Sequence, residues 1–197
     1  MGHILSQIFK ELFCITAEEI RVGMLGLDNA GKTTILYKLT ENLNKKLIVP
    51  TIGFNVETIR CGRHLLNIWD VGGGSMKSRA LWRHYNEHDT KAVIFVIDAA
   101  DIQRLQQAAS NLEWLLRNKE LSKAVFLIFA NKQDLNGALS AREIIEILNL
   151  EKLAHRHVWI VQECCALTGF GLWHGLRKLM QLYEEQHTLT RFPRIRN

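Results

Sequence analysis

The sequence predicts an α/β fold in which a mostly parallel sheet lies between two layers of helices. Short apolar runs rich in β-branched residues alternate with amphipathic stretches of helical period through most of the chain. This alternation is typical of parallel strands joined by helical crossovers. The chain has 197 residues and a hydrophobic content of 47%, which suits one compact domain with a substantial core.

Six runs are predicted to be strands and four stretches to be helices. The second and third strands form a hairpin that turns at residues 61–63. The predicted strands are residues 20–25, 54–60, 64–69, 91–98, 124–130 and 157–162. The predicted helices are residues 32–41, 103–118, 141–148 and 172–187.

The bulk properties exclude several classes of protein. The apolar runs are shorter than the roughly 18 residues of a membrane-spanning helix, and the first residues lack the features of a secretory signal, so a cytoplasmic protein is expected. The four cysteines show neither a CxxC pattern nor a disulfide framework and are predicted to be reduced. A net charge of +5 fits contact with anionic lipid or phosphates, and equally an ordinary solvated surface. No nucleic-acid partner is expected.

A glycine-rich segment after the first predicted strand matches the phosphate-binding pattern GxxxxGK[ST] and opens the first predicted helix. Its glycines allow backbone N–H groups to point at phosphate oxygens, and the positive end of the helix dipole adds to the field. The lysine is expected to reach the β- and γ-phosphates, and the threonine hydroxyl to bind Mg²⁺. The segment consists of Gly26, Leu27, Asp28, Asn29, Ala30, Gly31, Lys32 and Thr33.

A second motif, Asn131-Lys132-Gln133-Asp134, follows the fifth predicted strand and is therefore expected at the same edge of the sheet. Guanine presents a ring N–H and an exocyclic amine side by side, and the Asp134 carboxylate can accept both hydrogen bonds. Adenine has an acceptor in place of the ring N–H, which would leave a carboxylate oxygen facing a lone pair. The motif predicts a site for guanine rather than adenine nucleotides.

With these motifs the chain resembles the Arf and Arf-like small GTPases over residues 2–187. The resemblance implies a P-loop small GTPase fold with a six-stranded, mostly parallel sheet, helices on both faces and an additional N-terminal amphipathic helix. It implies GTP or GDP with Mg²⁺ as ligands and GTP hydrolysis as the activity. The matching segments, in family order, are GLDNAGKTT at 26–34, PTIGFNVE at 50–57, WDVGG at 69–73, LWRHY at 81–85, NKQD at 131–134 and CALTGFGL at 165–172.

The resemblance assigns roles to single residues around the phosphates. Thr51 would bind Mg²⁺ in the GTP form and thereby order the first switch, and Asp70 would hold the metal through water. The Gly73 amide would bond the γ-phosphate, and Thr34 would contact the α-phosphate. The residues with implied catalytic roles are Lys32, Thr51 and Gly73.

In the last motif the resemblance implies that the Ala166 amide reads the guanine oxygen. Cys165 precedes it at a position that is often serine, and because the main chain makes the contact, cysteine should serve. The implied protein partners are an exchange factor, an activating protein and effectors that bind the switch regions. A monomer is expected.

The N-terminal residues predict attachment to a membrane. Residues 1–6 match the pattern M-G-x-x-x-[ST], which predicts myristoylation of Gly2. At the helical period the apolar side chains of residues 4–13 fall on one side and the polar ones on the other. A single acyl chain gives only marginal membrane binding, so this helix would supply a second anchor. The resemblance implies that helix and lipid stay on the domain with GDP and move to the membrane with GTP.

The predicted organisation has three parts. Residues 1–17 are the myristoylation signal and amphipathic helix, and residues 18–187 are the GTP-binding domain. Residues 188–197, which contain three arginines and a proline, are predicted to be a flexible basic tail. The resemblance implies peripheral membrane association and a role in membrane or vesicle trafficking, with Golgi, endosomal and plasma membranes all open.

The chain departs from the family at residue 74. The family motif WDVGGQ ends in a glutamine that orients the attacking water, whereas this chain has Gly74 followed by Ser75. Glycine has no side chain to hold a water, so hydrolysis is predicted to be about 10- to 100-fold slower. Two interpretations stay open: a membrane switch with slow or partner-dependent hydrolysis, and a constitutively GTP-bound adaptor that recruits effectors. An ATP-dependent kinase on the same phosphate loop is disfavoured by Asp134.

Overall fold

A computed structural model describes residues 18–40, 53–72 and 89–191 of the chain. The strands in these ranges form one six-stranded sheet. They are β1 (Glu18–Gly26), β2 (Phe54–Cys61), β3 (His64–Val71), β4 (Ala92–Asp98), β5 (Val125–Asn131) and β6 (Val158–Glu163). Their order across the sheet is β2-β3-β1-β4-β5-β6. β2 runs antiparallel to β3, and the other neighbouring pairs of this sheet are parallel.

Five α-helices and two short 3₁₀ turns connect these strands within the described ranges. The 3₁₀ turns are Ile102–Arg104, which leads directly into the second helix, and Lys119–Leu121, which precedes β5. The helices are α1 (Lys32–Leu39), α2 (Leu105–Leu116), α3 (Ala141–Ile147), α4 (Leu150–Leu153) and α5 (Leu172–Arg191).

The helices lie in two layers, one on each face of the sheet. α1 and α5 share an apolar cluster with strand residues such as Ile94 and Leu127. α2, α3 and α4 share a second cluster with their sequence neighbours Phe95 and Phe126. Successive side chains of a strand point to opposite faces, which explains why adjacent residues belong to different clusters. The predicted three-layer fold with helices on both faces of a mostly parallel sheet is confirmed.

The central strands are buried on both faces. Every residue of β5 is buried, and so is every residue of β4 except Asp98 at its end. Burial on two faces is the reason that these strands read as continuous apolar runs instead of alternating ones.

The sheet has a topological switch point at β1. From β1 the chain passes through α1 to the hairpin of β2 and β3 on one side of β1, and it then returns to place β4 on the other side. Open parallel sheets bind ligands in the crevice at the carboxyl ends of strands at such a point. The predicted phosphate loop leaves β1 at this position.

The hairpin turn is shorter than predicted. Cys61 pairs with His64 across the two strands, so the turn consists of Gly62 and Arg63 and not of residues 61–63. Gly62 has φ +61°, a conformation that costs glycine little and that two-residue hairpins often require. Cys61 is therefore the last paired residue of β2.

The last helix is longer than predicted. The sequence predicts that it ends at residue 187 and that the tail begins at residue 188, but α5 continues to Arg191. The Thr188 hydroxyl donates a hydrogen bond to the carbonyl of Glu184 at 2.8 Å, within the helix. The helix ends two residues before Pro193, whose ring disfavours helical geometry at the residue before it.

Two predicted segments lie outside the described residues: the amphipathic helix of residues 1–17 and residues 192–197 of the tail. Among the helices that the structure does describe, none combines the length and the apolar character required to cross a bilayer. The short helix α4, which was not predicted, begins after Asn149, a residue with φ +48°.

Gly175 in the first turns of α5 provides a test of the packing between α5 and the sheet. A Cβ at this position would lie 2.6 Å from Cε1 of Phe129, a fully buried ring. Replacing glycine by alanine in an open helix stabilises by about 1 kcal/mol, but overpacking of a core costs about 1–3 kcal/mol. We expect Gly175→Ala to lower the free energy of unfolding by about 1–3 kcal/mol in urea denaturation. The control Ser110→Ala, on an exposed position of α2, should change it by less than about 0.5 kcal/mol. A stabilising Gly175→Ala would contradict the tight packing.

Candidate functional site

The phosphate loop turns tightly between β1 and α1. Gly26 and Gly31 have φ +145° and +96°, and Asn29 has φ +59°. A Cβ on Gly26 would lie 2.3 Å from the carbonyl oxygen of Val96, and one on Gly31 would lie 2.3 Å from Nδ2 of Asn131. The two glycines are therefore required by the close approach of neighbouring strands and loops, as well as by their backbone conformation.

The Lys32 side chain folds back over its own loop. Its ammonium donates hydrogen bonds to the carbonyl oxygens of Gly26 at 3.2 Å and Leu27 at 2.8 Å, and the residue is only 6% exposed. Burial lowers the pKa of Lys32 from its ordinary value, and the carboxylates of Asp70 and Asp28 oppose this shift. Anionic oxygens in place of the two carbonyls would be stronger acceptors for this buried cation.

The predicted metal-side groups come together at the start of α1. The Thr33 hydroxyl donates a hydrogen bond to Oδ2 of Asp70 at 2.6 Å, and Asp70 is fully buried near the end of β3. A hydroxyl and a carboxylate are oxygen ligands of the kind that Mg²⁺ prefers. The two residues thus fit the expectation of a direct ligand beside a carboxylate that acts through water. Thr34 follows in the same turn and is half-buried.

Asn131 connects the phosphate loop with the base loop. Its side chain is 1% exposed and donates from Nδ2 to the carbonyl of Ala30 at 2.8 Å. Its Oδ1 accepts the backbone N–H of Ala166 at 3.0 Å and lies 3.6 Å from Sγ of Cys164. Burial raises the pKa of the Cys164 thiol, which keeps it neutral and able to donate. One amide therefore fixes two loops relative to each other.

The predicted base-reading groups lie next to this amide. Asp134 is exposed, and its Oδ1 lies 3.1 Å from Sγ of Cys165, which is placed to donate its S–H. A thiol at this position thus keeps the weak donor character that a serine hydroxyl would provide more strongly. The N–H of Ala166, which was expected to read the guanine oxygen, donates to Asn131 in this structure, so a base would compete with Asn131 for it.

Lys132 has φ +69°, and its ammonium forms an ion pair with Oδ2 of Asp98 at 2.7 Å. Asp98 ends β4, next to β5 in the sheet. Both residues are largely buried, so the pair is less screened by solvent than a surface ion pair.

Four predicted site residues lie outside the described residues: Gly2, Thr51, Gly73 and Gly74. The structure brings the remaining predicted residues to one edge of the sheet, at the carboxyl ends of β1, β3, β5 and β6 and in the segments that follow them.

Comparison with known proteins agrees with this arrangement. The model of the ADP-ribosylation factor (Arf) family matches residues 5–183. The chain belongs to the Arf family of small GTPases. A solved structure of the Arl6 (BBS3) small GTPase from Trypanosoma brucei, with the bound nucleotide analogue GppNp, is 35% identical to the chain. The match covers 85% of this chain and 99% of that one, with a TM-score of 0.77.

Membership in the Arf family makes the chain a GTP-binding switch protein with GTPase activity, and its ligands are GTP or GDP with Mg²⁺. The glycine turns, the buried ammonium of Lys32 and the paired oxygens of Thr33 and Asp70 fit a nucleotide–metal ligand. In this family the bound nucleotide supplies the γ-phosphate that is cleaved.

Two residues of the site were not predicted from the sequence. Asp98 could have been found, since it is a polar residue at the carboxyl end of a buried parallel strand, where ligand sites occur. Arg104 contacts Asp28 of the phosphate loop across 76 positions of sequence, and no motif or period indicates such a contact.

Asn131 gives a direct test of how this Arf-family site is held together. Asn131→Ala would leave the buried carbonyl of Ala30 and the buried N–H of Ala166 without this partner, at about 1–3 kcal/mol for each group. We expect the free energy of unfolding without nucleotide to fall by about 2–4 kcal/mol in urea denaturation. The exposed loop variant Asn136→Ala is the matched control and should stay within about 0.5 kcal/mol of wild type. Equal, small losses in both variants would show that the bridge contributes little.

Proposed function

We propose that this chain is an Arf-like GTP-gated switch that acts at a membrane and hydrolyses GTP slowly or only with an activating protein. The observation that carries the proposal is the combination of two features. Groups suited to phosphates, metal and base lie together at one sheet edge, while residue 74 offers no side chain for the attacking water. The chain therefore has the groups required to bind the nucleotide, but Gly74 has no side chain to position the attacking water.

In this proposal the phosphate loop binds the phosphates through its backbone N–H groups. Lys32 exchanges the carbonyls of its own loop for phosphate oxygens, which are better acceptors because they are charged. Thr33 and Thr51 would bind Mg²⁺, and Asp70 would hold the metal through water. The burial of Lys32 and Asp70 strengthens these interactions because the site is shielded from bulk water.

At the other end of the site, Asp134 accepts hydrogen bonds from guanine. The exposed carboxylate is free of the sheet, and Cys165 holds one of its oxygens in place. Ala166 exchanges Asn131 for the guanine oxygen, and Asn131 keeps its bond to the carbonyl of Ala30. Because Asn131 contacts both loops, binding of the base is coupled to the geometry of the phosphate loop.

The slow hydrolysis follows from the missing side chain at residue 74. Catalysis of phosphoryl transfer depends mostly on positioning and electrostatics. Lys32, Thr51 and Gly73 would still supply charge stabilisation at the phosphates, but Gly74 cannot orient a water. A loss of about 10- to 100-fold corresponds to roughly 1.4–2.8 kcal/mol of barrier.

Gly74→Gln is expected to raise the rate of GTP hydrolysis about tenfold or more, which is about 1.4 kcal/mol of barrier, without changing nucleotide affinity appreciably. The glutamine adds a group that can hold the water and does not touch the phosphate loop. Single-turnover hydrolysis of preloaded GTP, alone and with an activating protein of a related GTPase, measures the effect. Gly74→Ala is the control, because it also removes the glycine but adds no polar group. An unchanged rate for Gly74→Gln under both conditions would refute the single-residue explanation.

The second candidate function is a constitutively GTP-bound adaptor, and Gly74 is the observation that favours it. An adaptor needs the same nucleotide site but no turnover. The two functions differ in one measurement: wild-type protein that retains GTP over many hours, even with a cell extract present, is an adaptor. Wild-type protein that hydrolyses GTP when the extract is added is a switch.

We place the protein at the membrane on the strength of its N-terminal sequence. Gly2 fits the acceptor for a myristoyl chain, and in a helix the apolar side chains of residues 4–13 would fall on one face. Acyl chain and helix together supply the two signals that stable anchoring needs. Recruitment of effectors to a trafficking membrane is the role that these features support.

Fractionation of variants tests the two anchors separately. Gly2→Ala removes the acyl acceptor, and Phe9→Glu puts a charge into the apolar face, so we expect both to move most of the protein from membranes to cytosol. Gln7→Glu adds the same charge on the polar face and should leave the distribution as in wild type. If Phe9→Glu behaves like Gln7→Glu, the helix is not an anchor.

A further inference from the structure

Arg104 forms an ion-pair cluster beside the phosphate loop. Its Nη1 lies 3.2 Å from Oδ1 of Asp28, and its Nε lies 2.6 Å from Oδ2 of Asp101. Asp28 is the third residue of the phosphate loop, whereas Asp101 caps and Arg104 ends the 3₁₀ turn that leads into α2. One guanidinium thus joins the loop after β1 to the segment after β4.

Asp101 positions Arg104 through both the backbone and the side chain of the arginine. Asp101 caps the 3₁₀ turn by accepting the backbone N–H of Arg104 on Oδ1 at 3.3 Å, and its other oxygen accepts the guanidinium. The hydrogen bond from Arg104 holds the pKa of the Asp101 carboxyl below its ordinary value, so the carboxylate stays charged. Only about a third of the arginine side chain is exposed. The contacts with Asp101 therefore position the guanidinium independently of its contact with Asp28.

The Asp28 carboxylate is an unfavourable group for a phosphate site. Its side chain is 56% exposed, and its charge acts on the ammonium of Lys32, the residue that reaches toward the terminal phosphates. A carboxylate without a counter-ion at this place would repel a polyphosphate and would compete for Lys32. The ion pair with Arg104 weakens both effects, because the guanidinium offsets the charge of Asp28.

The neighbouring charges make Arg104 important for the balance of the whole cluster. Lys132 and Asp98 form the next ion pair at 2.7 Å, and Asp98 also acts on the charge of Arg104. The cluster then has three carboxylates, those of Asp28, Asp98 and Asp101, against the cations Arg104 and Lys132. Without Arg104, Asp28 and Asp101 lose their shared cation, and the nearby cations that remain are Lys132, paired with Asp98, and Lys32 of the phosphate loop.

We propose that Arg104 is a positioning and specificity residue that neutralises Asp28 and thereby allows the loop to accept a nucleoside triphosphate in preference to a diphosphate. This inference rests on the proposed nucleotide site. Compared with GDP, GTP carries an additional phosphoryl group and more negative charge, at the end of the nucleotide that Lys32 reaches. Loss of Arg104 therefore weakens the binding of the triphosphate more than the binding of the diphosphate.

The experiment compares the dissociation constants of fluorescent GDP and a fluorescent non-hydrolysable GTP analogue, both with Mg²⁺, on full-length protein. We expect Arg104→Ala to raise the dissociation constant of the GTP analogue about tenfold and that of GDP by no more than about threefold. In the double variant Asp28→Asn with Arg104→Ala, the uncompensated carboxylate is gone, and most of the lost affinity for the GTP analogue should return. Higher salt should reduce the difference between the two nucleotides.

Two further variants separate charge from structure. Arg104→Lys keeps the charge without the two-sided guanidinium and should fall between wild type and Arg104→Ala. Arg104→Gln keeps a hydrogen-bond donor without the charge and replaces the alanine variant if that variant does not fold. It should also weaken the binding of the GTP analogue more than the binding of GDP. Arg142→Ala, which removes an arginine paired with Glu146 at 2.9 Å on α3, is the matched control and should bind both nucleotides like wild type.

Equal weakening of both nucleotides by Arg104→Ala would overturn the inference, because a residue that only supports the fold has no reason to discriminate. A double variant that binds no better than Arg104→Ala would overturn it as well. Wild-type protein that binds neither nucleotide would instead refute the proposed nucleotide site itself, so the two failures are distinguishable.

Discussion

The nucleotide site depends on one buried amide. Asn131 accepts from the loop after β6 and donates to the loop after β1, so its position sets the distance between the two ends of the site. Both hydrogen bonds lie where water is excluded, and such bonds are strong because their alternative is an unsatisfied buried group. Gly31 is part of the same constraint, because any side chain there would collide with the Asn131 amide.

Polar burial in this domain is concentrated where the ligand binds. Five polar or charged residues of the described part are buried, and three of them, Lys32, Asp70 and Asn131, belong to the site. Each forms a hydrogen bond with a neighbour in the site: Lys32 with carbonyls of the phosphate loop, Asp70 with the hydroxyl of Thr33, and Asn131 with the backbone of both loops. Apart from His64 and Thr90, the other buried residues of the described part are apolar and supply a close-packed frame. The apolar core positions the loops, and hydrogen bonds between the loops position their polar side chains.

Most of the fold could be predicted from the sequence, because the central strands are apolar runs and the outer helices are amphipathic. The limits were local. The two-residue turn at Gly62 and Arg63 depends on which residues pair across the hairpin, and the last turn of α5 depends on how far a helix extends before Pro193. The candidate site was predicted where a motif has fixed spacing, as for Lys32 and Asp134. The contact of Arg104 with Asp28 has no local pattern, since it arises only when two strand ends meet in the sheet.

The distance in sequence between the parts of the site has a consequence for folding. The bond from Asn131 to Ala30 spans 101 residues, and that from Ala166 to Asn131 spans a further 35. Contacts of such separation form late, because the closure of long loops is entropically unfavourable. During synthesis the phosphate loop emerges long before β5 and β6, so a nascent chain has the glycine-rich turn without its anchor. Nucleotide can stabilise only the nearly complete domain, and the supply of GTP and GDP then shifts the balance between folded and unfolded protein in the cell.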